Sequence, residues 1–399
     1  MPAASRYRPA PVHLDLGAEF FDVVAAARFP QHRLRFRNDR WASRVGLDTL
    51  DPTAWEGHCA RFSPLPNNLP SPLALRYHGH QFRSYNPHLG DGRGFLYAQL
   101  RDVDDDRILD LGTKGSGQTP YSRGGDGRLT LKGGVREVLA TEMLEALGVY
   151  TSKSFSLFET GEELMRGDEP SPTRSSVLVR LSHSHIRFGT FQRLATLGKI
   201  PALARLVEHC LQHYLPEADR ALAPAVGFLR AVTERSAALA ASWIASGFVH
   251  GVLNTDNLNI TGESFDYGPW RFLPRFDPEF VAAYFDETAL YAFGKQPSVV
   301  WWNLHRLAET LTGQVSAEAL RPALEAFEPA FRAARIAYEA GKSTDLLGDV
   351  APLYARNLKE IGAVRQAVDV LADACNRLQD FERDQLAAGF FAAAQRSSP

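Results

Sequence analysis

Hydrophobic and polar positions divide the chain into a strand-rich first half and a helical second half. Residues 95–100 and 107–115 have the composition of strands and flank an acidic turn. Residues 134–148 then place apolar side chains at helical spacing, and Gly148 is suited to end that helix. Residues 154–160 and 175–184 return to strand character. This order predicts a β-rich lobe built around one helix.

After about residue 189 the pattern becomes helical. Ala- and Leu-rich stretches with helical periodicity occupy 191–214, 223–247, 300–312, 317–341 and 351–396, and a loop-rich segment at 248–299 separates the second from the third. Residues 1–75 are rich in Pro, Arg and aromatic side chains, and we expect 36–50 and 64–75 to be irregular with short strands. The sequence therefore predicts a bilobed α+β fold. Its parts are an N-terminal extension at 1–75 packed on the lobes, a β-rich N-lobe at 76–190, and a helical C-lobe at 191–399 that carries a functional loop at 248–270.

Composition narrows the class of protein. The 399 residues suffice for one large bilobed domain, and a formal net charge of −2 argues against a dedicated nucleic-acid binder. Cys59, Cys210 and Cys375 lie far apart, which fits a reducing compartment better than a disulfide framework. The N-terminus lacks the apolar core of a secretory signal, and no stretch reaches about 18 consecutive apolar residues. We expect a cytoplasmic protein without a membrane span.

A glycine-rich stretch, Gly90-Asp91-Gly92-Arg93-Gly94, directly precedes the first predicted strand. Glycines let backbone N–H groups approach phosphates closely, and Arg supplies a fork of donors. Taken alone, the stretch favours a β-hairpin turn, because Asp-Gly is typical of such turns. The same four letters, GDGR, recur at 125–128, and we expect a second, separate turn with similar chemistry there.

Residues 109–119 nearly match a phosphate-binding Walker A loop. Gln118 stands where that loop requires Lys, and residues 119–133 are too polar and glycine-rich for the helix that should follow, so we reject this interpretation. Lys114 remains near the end of a predicted strand, with Glu137 on the next helix. In protein kinases a helix Glu holds a strand Lys that reaches the phosphates of ATP. An exposed Lys and a solvated Glu would explain the pattern equally well.

The strongest signal runs from His250 to Asn257 and continues at residues 266–268, Asp-Tyr-Gly. Kinase catalytic loops read H-R-D-x-x-x-x-N and are followed by D-F-G. When the asparagines are aligned, His250 falls on the kinase His and Asp266 on the Asp of D-F-G. Asn257 and Asp266 would then each offer one oxygen to Mg²⁺. A polar loop with an ordinary turn is the alternative.

One position in this signal departs from the kinase pattern. Val252 stands where kinases have their catalytic Asp, and its side chain cannot accept a proton. A carboxylate is present instead at Asp256, directly before Asn257.

Two arginines, Arg180 and Arg187, lie seven residues apart and would converge on one anion if the chain bends between them; structural roles are the alternative. The pairs His183/His185 and His78/His80 have spacing that a metal could use, but neither has a third partner at a recognisable spacing. We therefore favour polar structural roles for these four histidines.

Five stretches together resemble the selenoprotein O family of pseudokinase-like proteins: residues 77–94, 109–142, 177–191, 250–270 and 296–311. The resemblance covers about residues 30 to 312. It implies a protein-kinase fold that transfers AMP from ATP to hydroxyl side chains of other proteins, the chain itself among the possible acceptors. ATP lies inverted in this family relative to kinases, so that the α-phosphate faces the acceptor.

The resemblance also implies roles for individual residues. Nucleotide would be held by Gly90, Gly92, Arg93, Lys114, Asp126, Gly127, Arg180 and Arg187, with Lys114 and the two later arginines on the outer phosphates. Glu137 would position Lys114, Asp256 would accept the proton, and Asn257 and Asp266 would ligate Mg²⁺ or Mn²⁺. Many family members end in a tail with a redox-active Cys or selenocysteine. This chain ends in QRSSP, and Ala282 stands where some bacterial members have a Cys, so we do not expect control by that disulfide. A divergent protein kinase and an ATP-binding scaffold without turnover stay open as alternatives.

Overall fold

The computed structural model describes residues 6–167 and 169–346. Its strands are β1 Phe21–Val23, β2 Arg33–Arg37, β3 Leu73–Leu75, β4 Gly79–Gln81, β5 Ser84–Asn86, β6 Leu96–Arg101, β7 Ile108–Lys114, β8 Leu129–Thr130, β9 Lys153–Leu164, β10 Thr173–Ser182, β11 Phe248–His250 and β12 Trp270–Phe272. Its α-helices are α1 Asp39–Arg44, α2 Pro52–Cys59, α3 Leu131–Ala146, α4 Phe188–Thr196, α5 Ile200–His213, α6 Pro224–Ser246, α7 Gln296–Leu311, α8 Ala317–Glu325 and α9 Phe327–Leu346. The predicted helix at 351–396 and Cys375 lie outside the described residues.

An antiparallel sheet forms the first half of the molecule. Its strands run in the order β1-β3-β6-β7-β10-β9-β2, and β8 pairs with β10. The two strands predicted around the acidic turn are β6 and β7, which pair through Leu100 with Leu109 and Arg101 with Ile108. All residues of β7 are buried, because the sheet is covered on both faces at this strand. The sheet followed by a helical second half confirms the predicted α+β class.

Helix α3 is the predicted helix of the first half, and it begins three residues earlier than expected. The hydroxyl of Thr130 accepts a hydrogen bond from the N–H of Gly133 at 3.0 Å, which caps the first turn. Its apolar face, which includes Val135 and Val138, packs against Leu157 and Leu178 of the sheet. This packing brings Glu137 beneath the end of β7.

Residues before 76 contribute more regular structure than their composition suggested. Three of their strands join the sheet, and α1 lies inside the stretch 36–50 that was expected to be irregular. That expectation was wrong because Asn38 caps α1, with its side-chain oxygen accepting from the N–H of Trp41 at 3.1 Å. Trp55 of α2 stacks on Phe155 of β9 in the core. The division of the chain at residue 75 stays a prediction.

The second half consists of packed helices around the long helix α6, as predicted. The stretch expected to form one helix at 191–214 is divided into α4 and α5 at Gly198, whose φ of 65° ends the first helix. The stretch 317–341 is likewise divided into α8 and α9. Phe191 and Phe228 stack in the core with ring centroids 4.9 Å apart. Among the described residues, no helix is both long and apolar enough to cross a membrane.

Candidate active site

A cleft of about 680 Å³ lies between the sheet and the segment 248–270. Every predicted site residue except Glu137 and Asn257 lines it. These lining residues are Gly90, Gly92, Arg93, Lys114, Asp126, Gly127, Arg180, Arg187, Asp256 and Asp266. The fold thus gathers side chains from β7, β10, two glycine-rich loops and the segment 248–270 around one space.

Lys114 and Glu137 form a buried ion pair at the end of β7. Glu137 comes from α3 and is 1% exposed, and its Oε2 has no hydrogen-bond partner among the described residues. The Nζ of Lys114 also donates to Oδ1 of Asp266 at 2.9 Å. A Lys held in this way between two carboxylates points its charge into the cleft.

Asp266 is surrounded by positive charge. Besides Lys114, Arg187 donates to its Oδ2 at 2.9 Å and Arg180 to its Oδ1 at 3.3 Å. Burial alone would raise the pKa of Asp266, but the charges of Lys114, Arg180 and Arg187 hold it well below its usual value. The two arginines do converge on one anion, and in this structure that anion is a carboxylate of the protein.

Asp256 lies in a short 3₁₀-helix, Thr255–Asn257, and has a different environment. Its carboxylate is buried, and its Oδ1 accepts no hydrogen bond from the described residues. Burial raises the pKa of Asp256 to about 6, although the charge of Arg187 opposes the shift. Arg187 contacts the backbone of this residue, donating to the carbonyl oxygen of Asp256 at 2.6 Å. A carboxyl group with such a pKa is suited to exchange protons near neutrality.

Asn257 and Val252 face each other across the turn of the segment. The side-chain Nδ2 of Asn257 donates to the carbonyl oxygen of Val252 at 2.9 Å, which leaves the amide oxygen of Asn257 for another ligand. His250 is buried and its Nε2 lies 3.2 Å from the carbonyl oxygen of Phe265, which links the two ends of the segment. These contacts fix the spacing between Asn257 and Asp266.

The donor set suits a hard cation that keeps other oxygen ligands. Within the part of the chain that the structure describes, no group of three or more His, Cys, Asp or Glu side chains is arranged to hold a metal ion. Asp266 offers carboxylate oxygens in the cleft, Asp256 has an unbonded oxygen there, and Asn257 directly follows Asp256 in the chain. Mg²⁺ needs only one or two protein oxygens when phosphates and water complete its shell. The residues present therefore fit Mg²⁺ bound together with a phosphate-bearing ligand.

Both GDGR turns line the cleft, although the sequence separates them by 35 positions. Asp126 is exposed and forms an ion pair with Arg166, in which Nη1 of Arg166 lies 2.8 Å from Oδ2 of Asp126. Gly127 packs on Gly117 so closely that a Cβ atom there would lie 2.2 Å from the backbone. Sequence reasoning treated the two turns separately. It missed Tyr121, which lies between them in the sequence and also lines the cleft. The repeated GDGR was the available signal.

Sequence reasoning also missed the hairpin of β4 and β5. The N–H of His80 donates to the hydroxyl of Thr255 at 2.7 Å, and a Cβ atom on Gly79 would lie 3.1 Å from Oδ1 of Asp256. The hairpin therefore covers the residue predicted as proton acceptor. Gly79 was the available signal in the sequence, because close backbone approach favours glycine.

The four histidines considered as metal ligands have protein partners. Nδ1 of His78 lies 2.7 Å from the hydroxyl of Tyr85, and Nδ1 of His80 lies 2.8 Å from Nε2 of Gln192. Nδ1 of His183 lies 2.6 Å from the hydroxyl of Tyr150, and the backbone N–H of His185 donates to Asp110 at 2.9 Å. Their contacts are those of polar side chains within the fold.

Comparison with known proteins gives one consistent answer. The family model described as Protein adenylyltransferase SelO matches residues 4–343. A protein nucleotidyltransferase YdiU from Synechocystis sp. is 55% identical over 316 residues, which cover 78% of this chain and 66% of that protein. The YdiU proteins of Gloeobacter violaceus and Hahella chejuensis are 52% and 35% identical, over 81% and 88% of this chain and 66% and 73% of their own lengths. This chain therefore spans about two thirds of the length of such relatives. The chain belongs to the protein adenylyltransferase SelO family, which confirms the resemblance drawn from its sequence.

Proposed function

We propose that this chain transfers AMP from ATP to hydroxyl groups of proteins and releases pyrophosphate. The observation that carries the proposal is the position of Asp256. It is buried in the same cleft as Lys114, Arg180 and Arg187, and its Oδ1 has no partner among the described residues. Val252 occupies the place of the kinase base and offers no carboxylate. The names of the family and of the relatives, adenylyltransferase and nucleotidyltransferase, agree with this chemistry.

The proposed reaction is an in-line displacement at the α-phosphorus. The acceptor hydroxyl oxygen bonds to that phosphorus, its proton passes to Asp256, and the bond to the bridging oxygen of pyrophosphate breaks. Lys114, Arg180 and Arg187 would bind the outer phosphates and stabilise the charge that develops on pyrophosphate. These are the three cations that meet Asp266. The outer phosphates of bound ATP would thus contact cations that contact the carboxylate of Asp266 in this structure.

The remaining assignments concern the other residues that line the cleft and two residues next to its lining, Glu137 and Asn257. Gly90, Gly92, Arg93, Asp126 and Gly127 would contact the nucleotide, and Glu137 would orient Lys114. Asn257 and Asp266 would hold Mg²⁺, or Mn²⁺, which when bound would neutralise phosphate charge. The partners we propose are ATP and proteins with accessible hydroxyl groups, without nucleic acid, in the cytoplasm.

The position of the label in ATP tests the proposal. The chain is incubated with ATP labelled at the α-phosphate or at the γ-phosphate, together with a mixture of proteins, and protein-bound label is counted. We expect label only from the α-phosphate. Label only from the γ-phosphate would show a divergent kinase. Binding of ATP without label transfer from either position would show a nucleotide-binding scaffold.

A further inference from the structure

Two glycine-rich loops, residues 90–94 and 119–127, stack on each other at one wall of the cleft. The ring of Tyr121 rests on Gly90: a Cβ atom there would lie 2.3 Å from Cγ of the ring, closer than atoms can approach. The hydroxyl of Thr119 donates to the carbonyl oxygen of Asp91 at 2.5 Å, and that of Ser122 to the carbonyl oxygen of Gly92 at 2.5 Å. The second loop therefore covers the first through three consecutive contacts.

The second loop is in turn anchored to the N-terminal strand. The hydroxyl of Tyr121 donates to Oδ2 of Asp22 in β1, and Nε of Arg76 donates to the same oxygen at 2.8 Å. Arg76 also bonds the other oxygen of Asp22, so this carboxylate is held in a fork and presented to the tyrosine. The hydroxyl of Tyr121 therefore meets a carboxylate that Arg76 holds in place.

Residues just after Asp22 brace the base of the same loop. The N–H of Ala27 donates to the carbonyl oxygen of Ser116 at 2.8 Å, and the N–H of Gly117 to that of Gly127 at 3.1 Å. Residues 22–27 therefore run along the loop from its base to its tyrosine. Part of the predicted N-terminal extension thus contacts a wall of the cleft.

We propose that Tyr121 is a positioning residue, which Asp22 and Arg76 hold so that the loop 119–127 stays closed on the loop 90–94. Gly90, Gly92 and Arg93 on one loop and Asp126 and Gly127 on the other then face the nucleotide together. The inference rests on the proposed function for the identity of the nucleotide. Tyr121 acts through the loops and not on the reacting atoms.

The loop without its anchor spends part of its time open, and the apparent affinity for a nucleotide falls in proportion to the closed fraction. Tyr121→Phe removes one hydroxyl and keeps the ring on Gly90. We expect its dissociation constant for ATP, measured by calorimetry on the whole chain, to rise about tenfold. Asp22→Asn weakens the same hydrogen bond and should raise the dissociation constant for ATP at least as much. In α-phosphate transfer, the KM for ATP should rise with each substitution while kcat stays within twofold.

Tyr7→Phe is the matched control. The hydroxyl of Tyr7 donates to the carbonyl oxygen of Pro66 at 2.8 Å, in the same N-terminal region but away from the cleft. Its loss should lower the melting temperature slightly and leave ATP affinity unchanged. The proposal is overturned if Tyr121→Phe, like Tyr7→Phe, leaves the dissociation constant for ATP unchanged. It is also overturned if Tyr121→Phe weakens ATP binding while Asp22→Asn does not, because the hydroxyl of Tyr121 would then contact the nucleotide directly. A wild-type chain that binds ATP without transferring label would refute the proposed function, and the ATP affinities would still decide the role of Tyr121.

Discussion

Two stretches of the segment 248–270 place a carboxylate in the same cleft and treat it in opposite ways. At 265–268, Asp266 contacts Lys114, Arg180 and Arg187, and its pKa lies well below the usual value. At 254–257, Asp256 keeps one oxygen without a partner among the described residues, and burial raises its pKa to about 6. Both carboxylates belong to one segment, and burial acts to raise the pKa of each. The difference between their pKa values therefore comes from the cations that contact each side chain.

This contrast separates two chemical tasks. A carboxylate that stays ionised and has several cations around it is suited to hold a metal ion and to exchange partners with phosphates. A buried carboxyl group with a pKa near neutrality is suited to take a proton from an acceptor hydroxyl. The proposed assignment of Asp266 to metal and Asp256 to proton transfer can be tested by removing each charge separately.

Asp266→Asn should have the largest effect. Metal binding stabilises the transition state by several kcal/mol, so transfer from ATP should fall by about 10³-fold or more. The substitution also leaves three cations without their shared carboxylate, so the free energy of unfolding without nucleotide should fall by about 3 kcal/mol. Transfer assays and urea unfolding measure the two effects. Asp277→Asn, at an exposed position, serves as the control and should transfer AMP like the wild type. If Asp266→Asn transfers within tenfold of the wild-type rate, Asp266 is not a metal ligand.

Asp256→Asn should reduce transfer without reducing ATP affinity. A general base contributes about 10²–10⁴-fold, so we expect single-turnover transfer to fall by about 10³-fold. The dissociation constant for ATP should stay within twofold of wild type. The free energy of unfolding should not fall, because burial disfavours the ionised carboxyl group, as its raised pKa shows, and the amide carries no charge. Equal losses of binding and transfer would mean that Asp256 binds nucleotide instead of accepting the proton.

The Lys114–Glu137 pair allows the cation side of the comparison to be tested. Lys114→Met leaves Glu137 buried without its partner and should lower the free energy of unfolding by about 3–5 kcal/mol. Adding Glu137→Gln should restore most of that stability, because no charge is then left unpaired. ATP-dependent thermal stabilisation should stay weak in both variants, since the phosphate contact is lost in each. A double variant that regains ATP binding would show that Lys114 acts only as a structural partner of Glu137.

Local pattern predicted much of this architecture. The strands β6 and β7, the helix α3 and the change to helices after residue 189 follow from periodicity, because each is an amphipathic or buried element with a regular repeat. Helix ends were less well predicted: Thr130 starts α3 early, and Gly198 divides α4 from α5. Such boundaries depend on single capping residues, which periodicity does not register.

The motif residues of the candidate site could be named from sequence, but their interactions could not. The contacts of Asp266 with Lys114, Arg180 and Arg187 span 79 to 152 positions and arise only when sheet and segment pack together. Tyr121 and Asp22 were missed for the same reason, since nothing local marks a hydrogen bond between a loop and a strand 99 positions away. The raised pKa of Asp256 is likewise a consequence of burial, which the sequence of the loop does not determine.

Glu263 extends the comparison to a third carboxylate of the segment and gives the smallest expected effect. It is buried outside the cleft, its Oε2 accepts from the N–H of His183 at 3.0 Å, and burial raises its pKa to about 7. The unfolded chain releases this proton near pH 4.5, so Glu263 lowers stability progressively between about pH 4.5 and 7. Glu263→Gln keeps an oxygen for His183 and should be nearly equally stable at pH 4.5 but about 3 kcal/mol more stable at pH 8, as measured by urea unfolding. Glu217→Gln, at an exposed ion pair, should show no such divergence. If the free energies of unfolding of wild type and Glu263→Gln change in parallel between pH 4.5 and 8, Glu263 is ionised in the fold over this range. Burial within the segment would then not by itself determine the pKa of its carboxylates.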